Sequence, residues 1–482
     1  CSFQMLHISD QLRFFLWVLI GISGFITSGL LILLGGNIAF HLRRLIPGEK
    51  QEGEPPKPRP LATWIIFGVA SVFTILGTAI VSTAESNTPI ETMNGDYRVV
   101  VSPFVLQENA AHATIEKDLA LSSFERIQKS LSETQSDLFI KVWGPDDLET
   151  RKIEPVIGTT IEERTESAQA LANLIDADLV VYGFIQTNGT SLTVTPEFYI
   201  RLRNAYEAQE LTGPYMMGDP IAMRDYEDLA SRLEISTALS DRVVALSQMI
   251  KGLAFYAIRE YPEAQKEFSL AETIESWKPS EGKEILYLFL GNSVIREEDA
   301  DLDTAQLYFQ KALEIRPDYS RAMIGLANVK YRMALAPVTQ SNNPADADET
   351  LLQESIELLT AAAKSTNQPP LADVPTKIHF ELGQCYFMLA YSGHLDTYTL
   401  ATSEFEQVIA DYGNGENPRV KERAAEAYAR LGLILALGGS TEEAIQSYQT
   451  AAEMTADNPE RQAIFLERIQ KLQSNQSIEG EN

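Results

Sequence analysis

The residues able to do chemistry are few and scattered. Five histidines are present, His7, His41, His112, His379 and His394, and none has a second histidine, a cysteine or a carboxylate at metal-ligand spacing. The acidic pairs Asp146-Asp147 and Glu162-Glu163 fall in a loop and at a helix start, where a carboxylate favours the positive end of the helix dipole. They read as surface charge, not as a general acid and base. No Gly-x-Ser-x-Gly elbow, His-Glu-x-x-His helix, Gly-x-Gly-x-x-Gly turn or phosphate-loop pattern occurs. We therefore expect no enzyme, no cofactor and no metal.

Bulk charge narrows the partners. In 482 residues, 67 acidic side chains stand against 39 basic ones, a formal net charge of -28. Such a surface repels the phosphate backbone, so nucleic acid is not an expected partner. The length fits two or three folded units. Cys1 and Cys385 are far apart, and Cys385 lies in an apolar helical pattern, so it reads as a small buried hydrophobe with no disulfide framework around it. An opening Cys1 is consistent with missing upstream residues, with processing, or with lipidation of that cysteine.

Two long runs lack any ionisable side chain, Phe14 to Phe40 and Leu61 to Ala84. Each exceeds the roughly 20 residues that cross about 30 Å of hydrocarbon. Transmembrane helices are expected at 14–40 and 61–84, with the lipid bilayer as a partner. The connector 41–60 carries Arg43, Arg44, Lys50, Lys57 and Arg59 on a proline-rich stretch, a bias that would keep it cytoplasmic. Residues after about 85 would then lie outside the cytoplasm, as in a multi-pass cell-membrane protein.

A mixed unit follows over residues 95–205. Tyr97-Arg98-Val99-Val100-Val101 reads as a buried strand stopped by Pro103, and Ile115, Leu119, Phe124, Ile127 and Leu131 recur at helical spacing. Phe139 to Trp143 is a second strand and Ile161 to Ile175 a second helix. The strand from Ala177 to Ile185 is turned by Asn188-Gly189 onto Ser191 to Ile200. The phrases Val99-Val100-Val101-Ser102-Pro103-Phe104 and Ala177-Asp178-Leu179-Val180-Val181-Tyr182-Gly183, in this order of elements, resemble the N-terminal domain of TolB and related envelope proteins. That resemblance implies a protein-contact domain without chemistry. Residues 206–240 read as a linker.

From 241 to 475 the same spaced residues return. Gly252 and Tyr256 precede Ala264, Phe268 and Ala271; Gly291 precedes Ala305, Phe309 and Ala312. A degenerate third copy has Leu326-Ala327 and Tyr331, then Ile356, Leu359 and Ala362. Gly383 and Tyr386 precede Ala401 and Phe405, and Gly432 precedes Ala444, Tyr448 and Ala451. A small residue lets paired helices approach while an aromatic fills the wedge between them. A capping helix is expected over Pro459 to Gln473, with Ile464, Leu466, Ile469 and Leu472 inward, and a disordered tail over 476–482.

This spacing resembles the tetratricopeptide repeat. The resemblance implies a protein or peptide partner held in a concave groove lined by the first helix of each hairpin. Carried onto this chain it gives Leu253, Asn292, Asn328, Gln384 and Leu433, with Arg296, Arg321 and Tyr331 nearby. The asparagines would pair with a peptide backbone, or else form a solvated polar face. Leu288 and Ile324 stand where carboxylate-clamping members of the family carry lysine.

The expected fold is thus membrane-anchored, α plus α+β: a two-helix transmembrane hairpin, a small mixed α/β domain and an all-α repeat superhelix. The expected function is a membrane-anchored scaffold that presents the groove and the α/β domain outside the cytoplasm to assemble an envelope or secreted complex. The alternative is the sensory or regulatory half of a larger signalling protein whose effector lies upstream of residue 1.

Overall fold

Strand β1 (Tyr97–Val101) ends in three β-branched valines whose alternate side chains enter two different cores, as the two-residue period of a strand requires. In this computed structural model, residues 91–106, 113–133, 138–147, 152–188, 191–202, 210–223, 228–370, 373–415 and 420–474 are described. β1 lies between β3 (Ile140–Trp143) and β4 (Leu179–Asn188), parallel to both. β4 pairs antiparallel with β5 (Ser191–Ile200), and β5 with β6 (Gly213–Met216) and β7 (Ile221–Met223). The short β2 (Val105–Leu106) joins β4. Val99 and Val101 share a core with Leu119, Ala120 and Ile127 of α1 (Ala113–Ser132). Val100 shares the other with Ala168, Leu171 and Ile175 of α2 (Ile161–Ile175).

Local chemistry explains where these elements start. Thr160 accepts from the Glu163 backbone while the Glu163 carboxylate reaches back, a capping box that fixes the first turn of α2. Hydrogen bonds to the Glu163 carboxylate from the backbone and hydroxyl of Thr159, and then from the Thr160 backbone, hold that carboxyl below its ordinary range. The acidic pair at 162–163 therefore contributes a helix cap. The sheet ladder runs on to Asn188 opposite Ser191, so Asn188 is a strand residue.

Residues 206–240, expected as a linker, carry β6, β7 and the first part of α3 (Leu229–Ala257). β6 reads Gly-Pro-Tyr-Met, and a proline in a short outer strand disguises it as a loop. Its Tyr215 stacks on Phe198 with ring centroids 5.1 Å apart and meets Phe289 of the helical array at 5.9 Å. One continuous apolar core consequently runs from Tyr97 through α3 into the second hairpin.

The array consists of α3 with α4 (Tyr261–Glu272), α5 (Lys283–Ile295) with α6 (Leu302–Ile315), α7 (Ser320–Ser341) with α8 (Glu349–Lys364), α9 (Asp373–Ser392) with α10 (Thr397–Tyr412), and α11 (Lys421–Leu437) with α12 (Thr441–Met454). In the first, second, fourth and fifth hairpins a glycine faces an aromatic ring of the partner helix. A Cβ added at Gly291 would lie 2.9 Å from Phe309, at Gly383 2.8 Å from Phe405 and at Gly432 3.0 Å from Tyr448. The third copy replaces the aromatic with buried Leu359, and its Ser355 hydroxyl donates to the Ala327 carbonyl at 2.9 Å. The helix α13 (Pro459–Gln473) caps the end through Phe465, Ile469 and Leu472. Ile464 and Leu466, expected inward, are 51% and 45% exposed, because only the spacing of 465, 469 and 472 puts three residues on one helix face.

The expected multi-pass membrane localisation is corrected here. No described helix is long and apolar enough to cross a membrane. The apolar α5 has 13 residues, about 20 Å at the helical rise, and the longer α3 and α7 are broken by charges such as Arg242, Lys251 and Arg332. The runs at 14–40 and 61–84, with the connector 41–60, lie outside the described residues.

Candidate functional site

The first helices of four successive hairpins turn side chains toward one hollow. Asn292, Ile295 and Arg296 come from the end of α5; Gly325, Asn328 and Arg332 from α7; Lys377, Glu381 and Gln384 from α9; Arg423 and Glu426 from α11. Together with Glu210 of the sheet domain they line a cavity of about 330 Å³. A second cleft of about 750 Å³ adjoins it, lined by Tyr331, Leu335, Phe387, Met388, Tyr391 and Arg430 among others. Gln384 lines both.

The residues named from sequence distribute as follows. Asn292, Arg296, Asn328 and Gln384 all line the smaller cavity, and Tyr331 lines the larger cleft. Asn292 is buried and donates its amide to the Leu288 carbonyl at 2.9 Å, so the solvated-face alternative does not hold for it. Asn328 and Gln384 are partly exposed. Arg321 lies elsewhere. It is buried, its Nε donates to the Glu210 carbonyl at 2.6 Å, and its guanidinium sits 3.9 Å from the centre of the Tyr215 ring. It binds the helical array to the sheet domain.

Sequence reasoning named Arg296 and missed the rest of the charged lining. Lys377 is buried and donates to Glu210 at 2.6 Å and to Glu381 at 3.5 Å. Burial pushes the Glu381 carboxyl above its ordinary value, against the pull of Lys377. Arg332 donates to the Ile295 carbonyl at 2.6 Å, and burial together with the like charge of Arg296 lowers its pKa. Arg423 lies over the Phe380 ring, 5.5 Å from its centre. One signal was available: Asn292 and Arg296, then Asn328 and Arg332, repeat asparagine and arginine one helical turn apart. Burial pushes Tyr331 up to about 12, with Arg430 opposing.

Among the described residues no group of three or more His, Cys, Asp or Glu could hold a metal ion. Cys385 is buried, donates toward the Ser355 hydroxyl at 3.4 Å, and is pushed by burial to about 12, where it is a thiol and not a nucleophile. His379 bonds Glu404 at 2.6 Å on the far side of α9 from the cavity lining.

Residues 425–458, which make up most of α11 and α12, match the family model described as tetratricopeptide repeat. This hairpin is similar to a tetratricopeptide repeat. No curated protein matches the chain. Among solved structures, TTC0263, a thermophilic tetratricopeptide repeat protein in Thermus thermophilus, is 15% identical with a TM-score of 0.33, covering 46% of this chain and 97% of its own. YrrB, a tetratricopeptide repeat protein with an unusual peptide-binding site, is 18% identical with a TM-score of 0.31, covering 46% and 92%. The Cut9-Hcn1 hetero-tetramer of APC/C gives 14% identity and a TM-score of 0.30, covering 50% and 51%. The likeness of residues 95–205 to the TolB domain finds no support in these matches.

Proposed function

We propose that the chain is a protein-interaction scaffold that holds a peptide segment of a partner protein along α5, α7, α9 and α11 and so gathers that partner into a complex. One observation carries this reading: amide and charged side chains from four consecutive hairpins converge on adjoining hollows, with Gln384 facing both. Isolated polar residues on a solvated surface would have no reason to share one cavity. The sheet domain contributes to the site as well, because Glu210 forms part of its wall and holds Lys377.

Filling the hollow tests the proposal. Asn328→Trp with Gln384→Trp, two part-exposed positions, should leave the fold intact and remove the partner recovered with the unaltered chain by crosslinking in cells. Recovery of the same partner in the same yield by the filled chain would overturn the groove as the binding surface.

A further inference from the structure

The smaller cavity is cationic in a chain that is strongly acidic overall. Its lining carries Arg296, Arg332, Lys377 and Arg423 against Glu210, Glu381 and Glu426. Glu210 and Glu381 lie on Lys377, Glu381 also feels Arg423, and Glu426 also bonds Arg461, which stands outside the lining, so the cations of the lining outnumber its carboxylates by one. Arg296 and Arg332 sit close enough for one to depress the other's pKa. Two guanidinium groups held near one another in a partly dry hollow repel, and an entering anion relieves that repulsion while accepting charge-assisted hydrogen bonds. A cavity of about 330 Å³ has room for a side chain or two and not for a folded surface. The adjoining cleft has the opposite character, with the aromatic rings of Tyr331, Phe387 and Tyr391 beside Met388. Rings and a thioether favour a bulky apolar group.

We infer that the occupant is a short acidic peptide: one carboxylate side chain enters among Arg296, Arg332 and Arg423, and a neighbouring bulky apolar side chain lies in the Tyr331, Phe387, Met388 and Tyr391 cleft. This rests on the scaffold reading above and adds the chemistry of the partner segment. Gln384, shared by the two hollows, is placed to bond the peptide backbone between those side chains. The acidic surface elsewhere repels such a peptide, so recognition is confined to the place where the cations are gathered.

The test uses the full chain and a bead-bound library of random octapeptides with amidated C-termini, so that any carboxylate comes from a side chain. Selected peptides should be enriched in Asp or Glu within two residues of Phe, Leu, Met, Tyr or Trp. A selected peptide carrying fluorescein should bind by anisotropy, and its Asn- or Gln-substituted form should bind at least about tenfold more weakly, the scale of one lost charge-assisted contact. Arg332→Gln, and independently Arg423→Gln, should lose most of that discrimination while keeping the thermal midpoint within a few degrees. Selection of peptides without acidic enrichment, or an acid preference unchanged in both variants, overturns this inference and leaves the scaffold standing. Failure to select any peptide overturns the groove reading itself. The comparison of acid and amide peptides on the unaltered chain decides the matter even where a variant fails to fold.

Discussion

Arg321 and Arg332 stand on the same helix and have opposite surroundings. Arg321 points into the covered end of the array, where the sheet domain supplies the Glu210 carbonyl and the Tyr215 ring. Arg332 points toward the hollow, where its neighbours are the Ile295 carbonyl, Arg296 and the cavity. A guanidinium surrounded by its own chain acts as a joint between domains, whereas one lining a hollow beside another cation is what the proposed peptide would meet. The start of α7 is thus joined to the sheet domain, and the rest of that helix turns to the hollow.

The largest effect should come from the covered end. Phe309 fills the wedge between Gly291 and Gly325, so it belongs to two hairpins at once. Phe309→Ala should cost about 3–5 kcal/mol, read as a fall in the urea midpoint. The equivalent loss at Tyr448 sits between the last hairpin and the capping helix α13. Tyr448→Ala should instead speed hydrogen exchange in α11 to α13 while the sheet domain stays protected, as expected when each repeat leans on its neighbours. Equal loosening of the whole chain by both variants would erase the distinction between the ends.

The next effect lies where the two regions meet. Lys377 is the buried cation of Glu210 and Glu381, one from each region. Lys377→Met leaves both carboxylates without it in a dry site, a loss of about 3 kcal/mol or more. Changing Glu210→Gln as well should recover much of that, since a neutral amide is far cheaper to bury than a carboxylate. A double variant as unstable as the single one would mean the pair is not what joins the domains.

Arg321 and Arg332 then give a direct contrast. Arg321→Gln removes buried hydrogen bonds from a charged donor and should cost about 1.5–3 kcal/mol. Arg332→Gln, at a hollow that water can enter, should cost under about 1 kcal/mol and act chiefly on binding. Denaturant curves for the two variants check this; equal losses would place both arginines in the same class.

How far the sequence shows these things depends on how local their causes are. The small residue, the aromatic and their spacing are legible because each hairpin packs against itself, and Asn292, Arg296, Asn328 and Gln384 follow from that register. Arg321 is at an equally regular position, yet its partner Glu210 lies 111 residues away, beyond any periodicity. Glu210 itself could not be assigned to the cavity for the same reason. The strands β6 and β7 escaped because the proline and the brevity that suit an outer strand also suit a loop. The α13 face was misread because apolar type alone was counted, and Phe465 occupies the position that Ile464 and Leu466 flank.

The smallest effect distinguishes a structural titration from the cavity. His379 bonds Glu404 at 2.6 Å between α9 and α10, with Asp411 nearby, and the Glu404 hydrogen bond raises its pKa above the ordinary 6.5 despite partial burial. The folded chain therefore binds this proton more tightly than the unfolded one. Its contribution is fully present below pH 6.5 and is lost as pH rises through the higher folded value, because in that window the native state holds more protons. His379→Gln should flatten this part of the urea midpoint against pH, by a small amount given the exposure of the pair. Peptide affinity should not follow the same curve, since His379 does not line either hollow. An affinity that titrates with His379 would join the outer side of α9 to the groove and blur the division between structural and recognition charges from which the comparison began.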